Sequence, residues 1–246
     1  MNRHCFDIAG ETNIGAGRMK NEDNYCILVP PGFSSGLAVV ADGIGGHRDG
    51  ELASMFCCHG MMKEFLRRGR NMRTAEAAGG FLAATLRDIN ARLFRRNEFE
   101  RRERPMGCTA MCAVFTEREL VWCGAGDSRL YEFSPGSGML RQLSADDICP
   151  GTSALCRAVG IRRRLDPVPE ARPLCPGTMY LICSDGLYHF VDDAEIVAAL
   201  TESTTARMAV GKLMRRALLR GAGDNITVIV AWLREACPNA GGEPKE

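Results

Sequence analysis

Short apolar runs broken by Gly, Pro, Ser and Asp recur along the chain, at residues 4–9, 25–29, 37–41, 108–115, 119–125, 128–133, 178–183 and 225–233. Each is rich in β-branched or aromatic residues, the composition of a strand bounded by turns. Between the third and fourth runs the period changes to that of helices. One stretch sets Leu52, Phe56, His59, Lys63 and Leu66 on a mostly apolar face, and the next sets Leu82, Leu86, Ile89 and Leu93 at helical spacing behind Thr74 as N-cap. Asp192 and Glu195 have the spacing of a capping box ahead of Ile196, Ala199 and Leu200, and a last helix over 206–220 ends at Gly221. Strands, two helices, more strands, two helices and a final strand do not alternate as a parallel β-α-β chain would. The order predicts an α+β fold, an antiparallel sandwich flanked by helices. Neither a repeat nor a Pro- or Gly-rich linker divides the chain, so one domain is expected over residues 1–235, with 236–246 a frayed tail.

Composition changes this picture little. Lys and Arg number 31 against 30 acids, and a net charge of +1 gives no reason to expect nucleic acid or an anionic membrane as partner. The opening MNRHCFDIAG lacks the apolar core of a secretory signal, and no apolar stretch is long enough to span a bilayer, so a cytoplasmic protein is expected. The basic stretch RRNEFERRER at 95–104 is interleaved with acids and reads as a solvated helix end. Twelve cysteines include no C-x-x-C pair, and Cys108, Cys112, Cys123 and Cys183 sit inside apolar runs. They read as small buried hydrophobes of a reduced compartment rather than as a disulfide framework or a zinc site.

The chemistry lies at strand ends. Four apolar runs adjoin an aspartate with Gly or Asn beside it: LAVVADG with Asp42, VWCGAGDSR with Asp127, YLICSDG with Asp185 and GAGDNITVIV with Asp224. One such case is an ordinary turn; four in one chain ask for another reason. Carboxylates gathered together raise one another's pKa and lose hydration, a conflict that hard divalent cations remove. Mg²⁺ and Mn²⁺ prefer oxygen ligands, and Mg²⁺ keeps several waters, so few carboxylates suffice. Gly43 lets the backbone come close and offers its carbonyl as a ligand. Two ions about 3.5–4 Å apart activate a water and clamp a phosphoryl oxygen. Arg18 is the candidate to grip phosphate bidentately, and its neighbours Glu22 and Asp23 the candidates to hold metal-bound waters.

Taken together these residues resemble the PPM family, the PP2C-type metal-dependent phosphatases, and bacterial members above all. Seven stations stand in family order: R-x-x-N-E-D at 18–23, D-G-x-G-G-H at 42–47, G-E-x-A-S at 50–54, G-C-T-A at 107–110, G-D-S-R at 126–129, S-D-G-L at 184–187 and D-N-I-T at 224–227. The resemblance covers residues 8–233 and implies a four-layer αββα sandwich with two Mn²⁺ or Mg²⁺ ions at one edge. Asp42 would bridge both ions, Gly43 would give its carbonyl to one, and Asp185 and Asp224 would complete the other. Glu22 and Asp23 would act through waters, and Arg18 would bind the substrate phosphate. A hydroxide between the ions would then attack phosphorus directly, without a phosphoenzyme. The substrates implied are phosphoserine and phosphothreonine proteins, and the enzyme is expected to be a monomer.

The chain departs from the family at three points. Ile44 stands where eukaryotic relatives carry a histidine proposed as general acid; His47 is the nearest alternative, with a turn-stabilising role as the competing reading. A third ion would use Asp127 with Asp185, but His189 replaces an acid that some members add. The flap between S-A-D-D at 144–147 and L-C-R-A-V-G at 155–160 is only residues 148–154. Thr109 reads equally as a hydrogen-bonding support or as strand packing, and Asn225 as the organiser of a turn. The alternative function is a regulatory module that binds a phosphoprotein with little turnover. Intact Asp42, Asp185 and Asp224 weigh against it.

Overall fold

The structure is a computed structural model and describes residues 5–44, 49–152 and 154–234. Its elements run β1 (Cys5–Asn13), β2 (Asn24–Leu28), β3 (Gly36–Ala41), β4 (Gly43–Ile44), α1 (Asp49–Arg68) and α2 (Ala75–Phe99). There follow β5 (Gly107–Cys108), β6 (Ala110–Phe115), β7 (Glu119–Ala125), β8 (Arg129–Ser134), β9 (Met139–Gln142), β10 (Glu170–Pro173) and β11 (Met179–Cys183). The chain closes with α3 (Asp185–Tyr188), α4 (Asp193–Thr201), α5 (Ala206–Leu219) and β12 (Ile226–Arg234). One five-stranded sheet has the order β1-β12-β11-β8-β9 and the other β10-β7-β6-β3-β2, while β4 and β5 form a separate ribbon. Every pairing within the two larger sheets is antiparallel.

Alternation along a strand sends successive side chains to opposite faces, and here both faces are covered. In β3, Leu37, Val39 and Ala41 join the layer under α1 and α2, whereas Ala38 and Val40 face the other sheet. In β11, Met179, Leu181 and Cys183 pack toward α4 and α5, and Tyr180 and Ile182 toward the other sheet. Three apolar layers therefore separate four structural ones, the αββα sandwich that the element order and the resemblance implied. The expected caps are present: Thr74 accepts from the Ala77 N–H and Asp192 from the Glu195 N–H.

Three expectations need correcting. The run at 108–115 is two strands, interrupted at Thr109. The buried face of α1 is Ala53, Ser54, Cys57, Cys58, Met61 and Phe65, while His59, Lys63 and Leu66 point outward. Small residues let the helix lie close to the sheet, so burial there follows size more than hydropathy. Finally, Cys149 and Cys156 form a disulfide with their Cα atoms 5.0 Å apart, although eight other cysteines among the described residues are free. The edge strands β9 and β10 carry too much polar sequence to read as strands. No helix among the described residues is long and apolar enough to cross a membrane. The tail expected at 236–246 lies outside the described residues.

Candidate metal centre

At one end of the sandwich, Arg18, Glu22, Asp42, Gly43, Thr109, Asp127, Asp185 and Asp224 line a cleft of ≈ 170 Å³, with Ile44, Leu155 and Asn225 completing its walls. Asp42 follows β3, Asp127 follows β7, Asp185 follows β11 and Asp224 precedes β12, so both sheets deliver carboxylates to the same edge.

Backbone contacts fix these positions. The Asp42 N–H donates to Thr109 Oγ1 at 2.9 Å, and the Thr109 N–H returns to the Asp42 carbonyl at 2.7 Å. Thr109 Oγ1 also pairs with Ser128 Oγ at 2.7 Å, so it hydrogen-bonds at the break between β5 and β6. Asn225 is a hub. Its Oδ1 accepts from the Glu22 N–H, and its Nδ2 donates to the carbonyls of Ile14 and Lys20, each at 2.8 Å. It thereby holds the R-x-x-N-E-D loop against the start of β12. Gly43 donates its N–H to the Glu22 carbonyl, and a Cβ there would lie 2.3 Å from the Gly50 backbone. Only glycine permits that approach of the ribbon to the first turn of α1.

The electrostatics are those of crowded anions. Asp42 is held well above the usual carboxylate range by burial and then by Asp23, Asp185, Asp224 and Asp127. Asp185 is raised by burial and by Asp224, and Asp127 by burial and by Asp185. Asp185 Oδ1 and Glu22 Oε1 are buried with no hydrogen-bond partner. Such orphaned carboxylate oxygens are costly unless a cation meets them. Among the described residues no three His, Cys, Asp or Glu side chains converge as a ready-made metal cage.

Two residues sit differently from the rest. Arg18 Nη2 donates to Asp224 Oδ2 at 2.7 Å, so the cation that meets Asp224 is a guanidinium. Asp23 does not line the cleft. It is 3% exposed, and its Oδ2 accepts from Ser184 Oγ and Thr227 Oγ1, each at 2.7 Å, while Oδ1 has no partner. Burial outweighs those two bonds and lifts its pKa to about 6. Behind Asp127, Tyr188 donates its hydroxyl to the Asp127 carbonyl, and Arg129 stacks on the Tyr188 ring while forking onto Asp146. His189 Nδ1 lies 3.5 Å from Asp185 Oδ2. His47 is outside the described residues. Ser184, Thr227, Arg129 and Tyr188 stand inside or beside the Asp-Gly motifs, yet their supporting contacts span the chain and leave no local signal.

The sequence profile of the protein phosphatase 2C family matches residues 9–220. The serine/threonine phosphatase stp of Listeria monocytogenes is 27% identical over 237 residues, 89% of this chain and 92% of that protein. The serine/threonine protein phosphatase PstP of Mycobacterium tuberculosis is 30% identical over 91% of this chain, which spans 44% of that longer protein. Among solved structures, PppA of Pseudomonas aeruginosa, described as a key regulatory component of T6SS, superposes with a TM-score of 0.80 at 30% identity, covering 92% of this chain and 97% of that one.

Proposed function

Because the chain belongs to the protein phosphatase 2C family, we propose that it hydrolyses phosphoserine and phosphothreonine in proteins with two Mn²⁺ or Mg²⁺ ions held at the carboxylate edge. The observation that carries this reading is one cleft lined by Asp42, Asp127, Asp185, Asp224 and Glu22, in which burial and neighbouring carboxylates raise Asp42, Asp127 and Asp185 and two buried oxygens lack partners. Asp42, Asp185 and Asp224 would hold the ions directly with the Gly43 carbonyl, and Glu22 through water. When bound, the ions supply Lewis-acid activation of water and neutralise charge on the phosphoryl oxygens.

The protein's own groups have distinct tasks. Arg18, half-exposed at the cleft and paired with Asp224, would bind the substrate phosphate, and its planar fork suits two phosphoryl oxygens. The Thr109 clasp holds the Asp42 backbone, so its carboxylate need not reorganise. Asn225 keeps Glu22 and Arg18 on the same side of the cleft as Asp224. Asp23 is a buried support whose two hydroxyl partners, Ser184 and Thr227, tie the end of β11 to the start of β12. A third ion between Asp127 and Asp185 would have to share Asp185 with His189.

Phosphate release from a phosphothreonine peptide tests the assignment. Release should depend on added Mn²⁺ or Mg²⁺ and stop with chelator. Stoichiometric peptide binding without release would replace it with a phosphoprotein-binding role.

A further inference from the structure

Six of the eight free cysteines among the described residues are buried, and burial pushes thiols such as Cys112 well above their ordinary range, which leaves them inert. Cys149 and Cys156 differ: both are partly exposed, and they are already joined beside the cleft. We propose that they form a thiol–disulfide exchange site at the mouth of the carboxylate cleft, oxidised by low-molecular-weight disulfides and reduced by the corresponding thiols, and that its state sets how well a phosphopeptide is held.

The two cysteines face each other because the short flap folds back on itself. Ile148 pairs with Leu155, the Cys149 N–H donates to the Ala154 carbonyl, and the Cys156 N–H to the Asp147 carbonyl. The Cα separation of 5.0 Å lies within the range a disulfide spans. The base of the segment is stapled independently. Asp147 exchanges backbone and side-chain bonds with Gly126, the residue before Asp127, and its Oδ1 accepts from Arg157 Nε at 2.9 Å. Beyond that base, hydrogen bonds among Cys149, Thr152 and Ala154 shape the turn, and among the described residues the disulfide is its covalent link. Leu155, next to Cys156, is a wall of the cleft. The bond therefore acts next to Leu155, an apolar side chain that lines the site where the flap rejoins the chain.

The chemistry balances without a further redox partner. One cysteine thiolate attacks a sulfur of the small disulfide and expels one thiolate, giving a mixed disulfide. The second cysteine then attacks the protein sulfur of that intermediate and expels the other thiolate, so two protein thiols and one small disulfide become one protein disulfide and two small thiols. Most disulfides of reduced compartments are of this reversible kind.

The kinetic part of the proposal rests on the phosphatase reading; the chemical part does not, and the two are read separately. Trypsin releases residues 142–157 as one peptide containing both cysteines. In glutathione buffers of increasing oxidised fraction, that peptide should become lighter by two hydrogens, and return on reduction. With Mn²⁺ present, reduction should raise KM for a phosphothreonine peptide about fivefold, the loss expected when a wall side chain must be ordered on binding. Turnover of a small aryl phosphate should stay unchanged. Cys149→Ser with Cys156→Ser should lose the response and keep the reduced protein's KM. A peptide that stays in the dithiol form, a KM indifferent to its state, or a double variant that still responds would each overturn the proposal. The wild-type comparison stands even if the variant folds poorly.

Discussion

The layer between the two sheets and the edge where their strands end are built from the same strands but by opposite rules. In the layer, Val40, Leu130, Ile182 and Ile229 are nearly or fully excluded from water, and the unpartnered polar atoms there, Trp122 Nε1 and Tyr180 Oη, are neutral. At the edge the unpartnered atoms are carboxylate oxygens, crowded by like charge. The layer supplies stability through apolar burial; the edge spends some of it to hold like charges together. A few residues of strand separate the two, so substitutions should divide cleanly into those that unfold and those that inactivate.

The sharpest division is expected at Asp42. Replacing Asp42 with Asn removes one charge from the cluster while keeping the side-chain shape. Turnover of a phosphothreonine peptide should fall about a thousandfold, ~4 kcal/mol of transition-state stabilisation. Stability of the metal-free protein should hold or rise, because like-charge repulsion is relieved. Near-normal rates would remove Asp42 from the chemistry. The converse is Leu130→Ala, a fully buried site between the sheets. It should cost about 3 kcal/mol in denaturant unfolding, with KM and turnover of the folded fraction unchanged.

The third test sets the two regions against each other through pH. The buried Asp23 carboxyl is raised from its ordinary 3.8 to about 6, so the folded state binds its proton more tightly than the unfolded state does. Its contribution is therefore complete below pH 3.8 and is lost as pH rises to about 6. In chelator this should amount to on the order of 2 kcal/mol of lost stability across that window. Asp23→Asn, uncharged throughout, should flatten that slope in denaturant titrations, and an unaltered slope would refute the account. Mn²⁺ should oppose the decline at the upper end, since deprotonated carboxylates bind it best.

These contrasts also explain what the sequence made legible. Strands covered on both faces read as continuous apolar runs, so β3, β6, β7, β11 and β12 were evident within a residue or two, apart from the break at Thr109. The carboxylates were evident because each follows or precedes such a run beside Gly or Asn. The buried face of α1 was hidden because Cys57, Cys58 and Ser54 occupy it instead of large apolar residues. β9 and β10 lie at sheet edges, where polar residues are tolerated. Long-range partners left no local trace: Asn225 reaches Lys20 across 205 positions, Arg18 meets Asp224 across 206, and Cys149 meets Cys156 only once the flap folds. Motif spacing identifies which residues meet at the edge but not how each is held.

The smallest expected effect concerns that holding. Thr109 reaches no substrate in the proposed scheme; it fixes the Asp42 backbone and pairs with Ser128. Thr109→Val keeps the shape and the methyl but strips the hydroxyl, leaving the Asp42 N–H without its acceptor. The expected cost is ~1 kcal/mol of stability and about a tenfold loss of turnover, the scale seen when a supporting contact of a metal ligand is removed. Thr109→Ser, which keeps the hydroxyl and loses the methyl, separates hydrogen bonding from packing. If serine restores turnover, the contact between β5 and β6 acts through its oxygen; if serine fails as badly as valine, Thr109 belongs with the apolar layer and not with the edge.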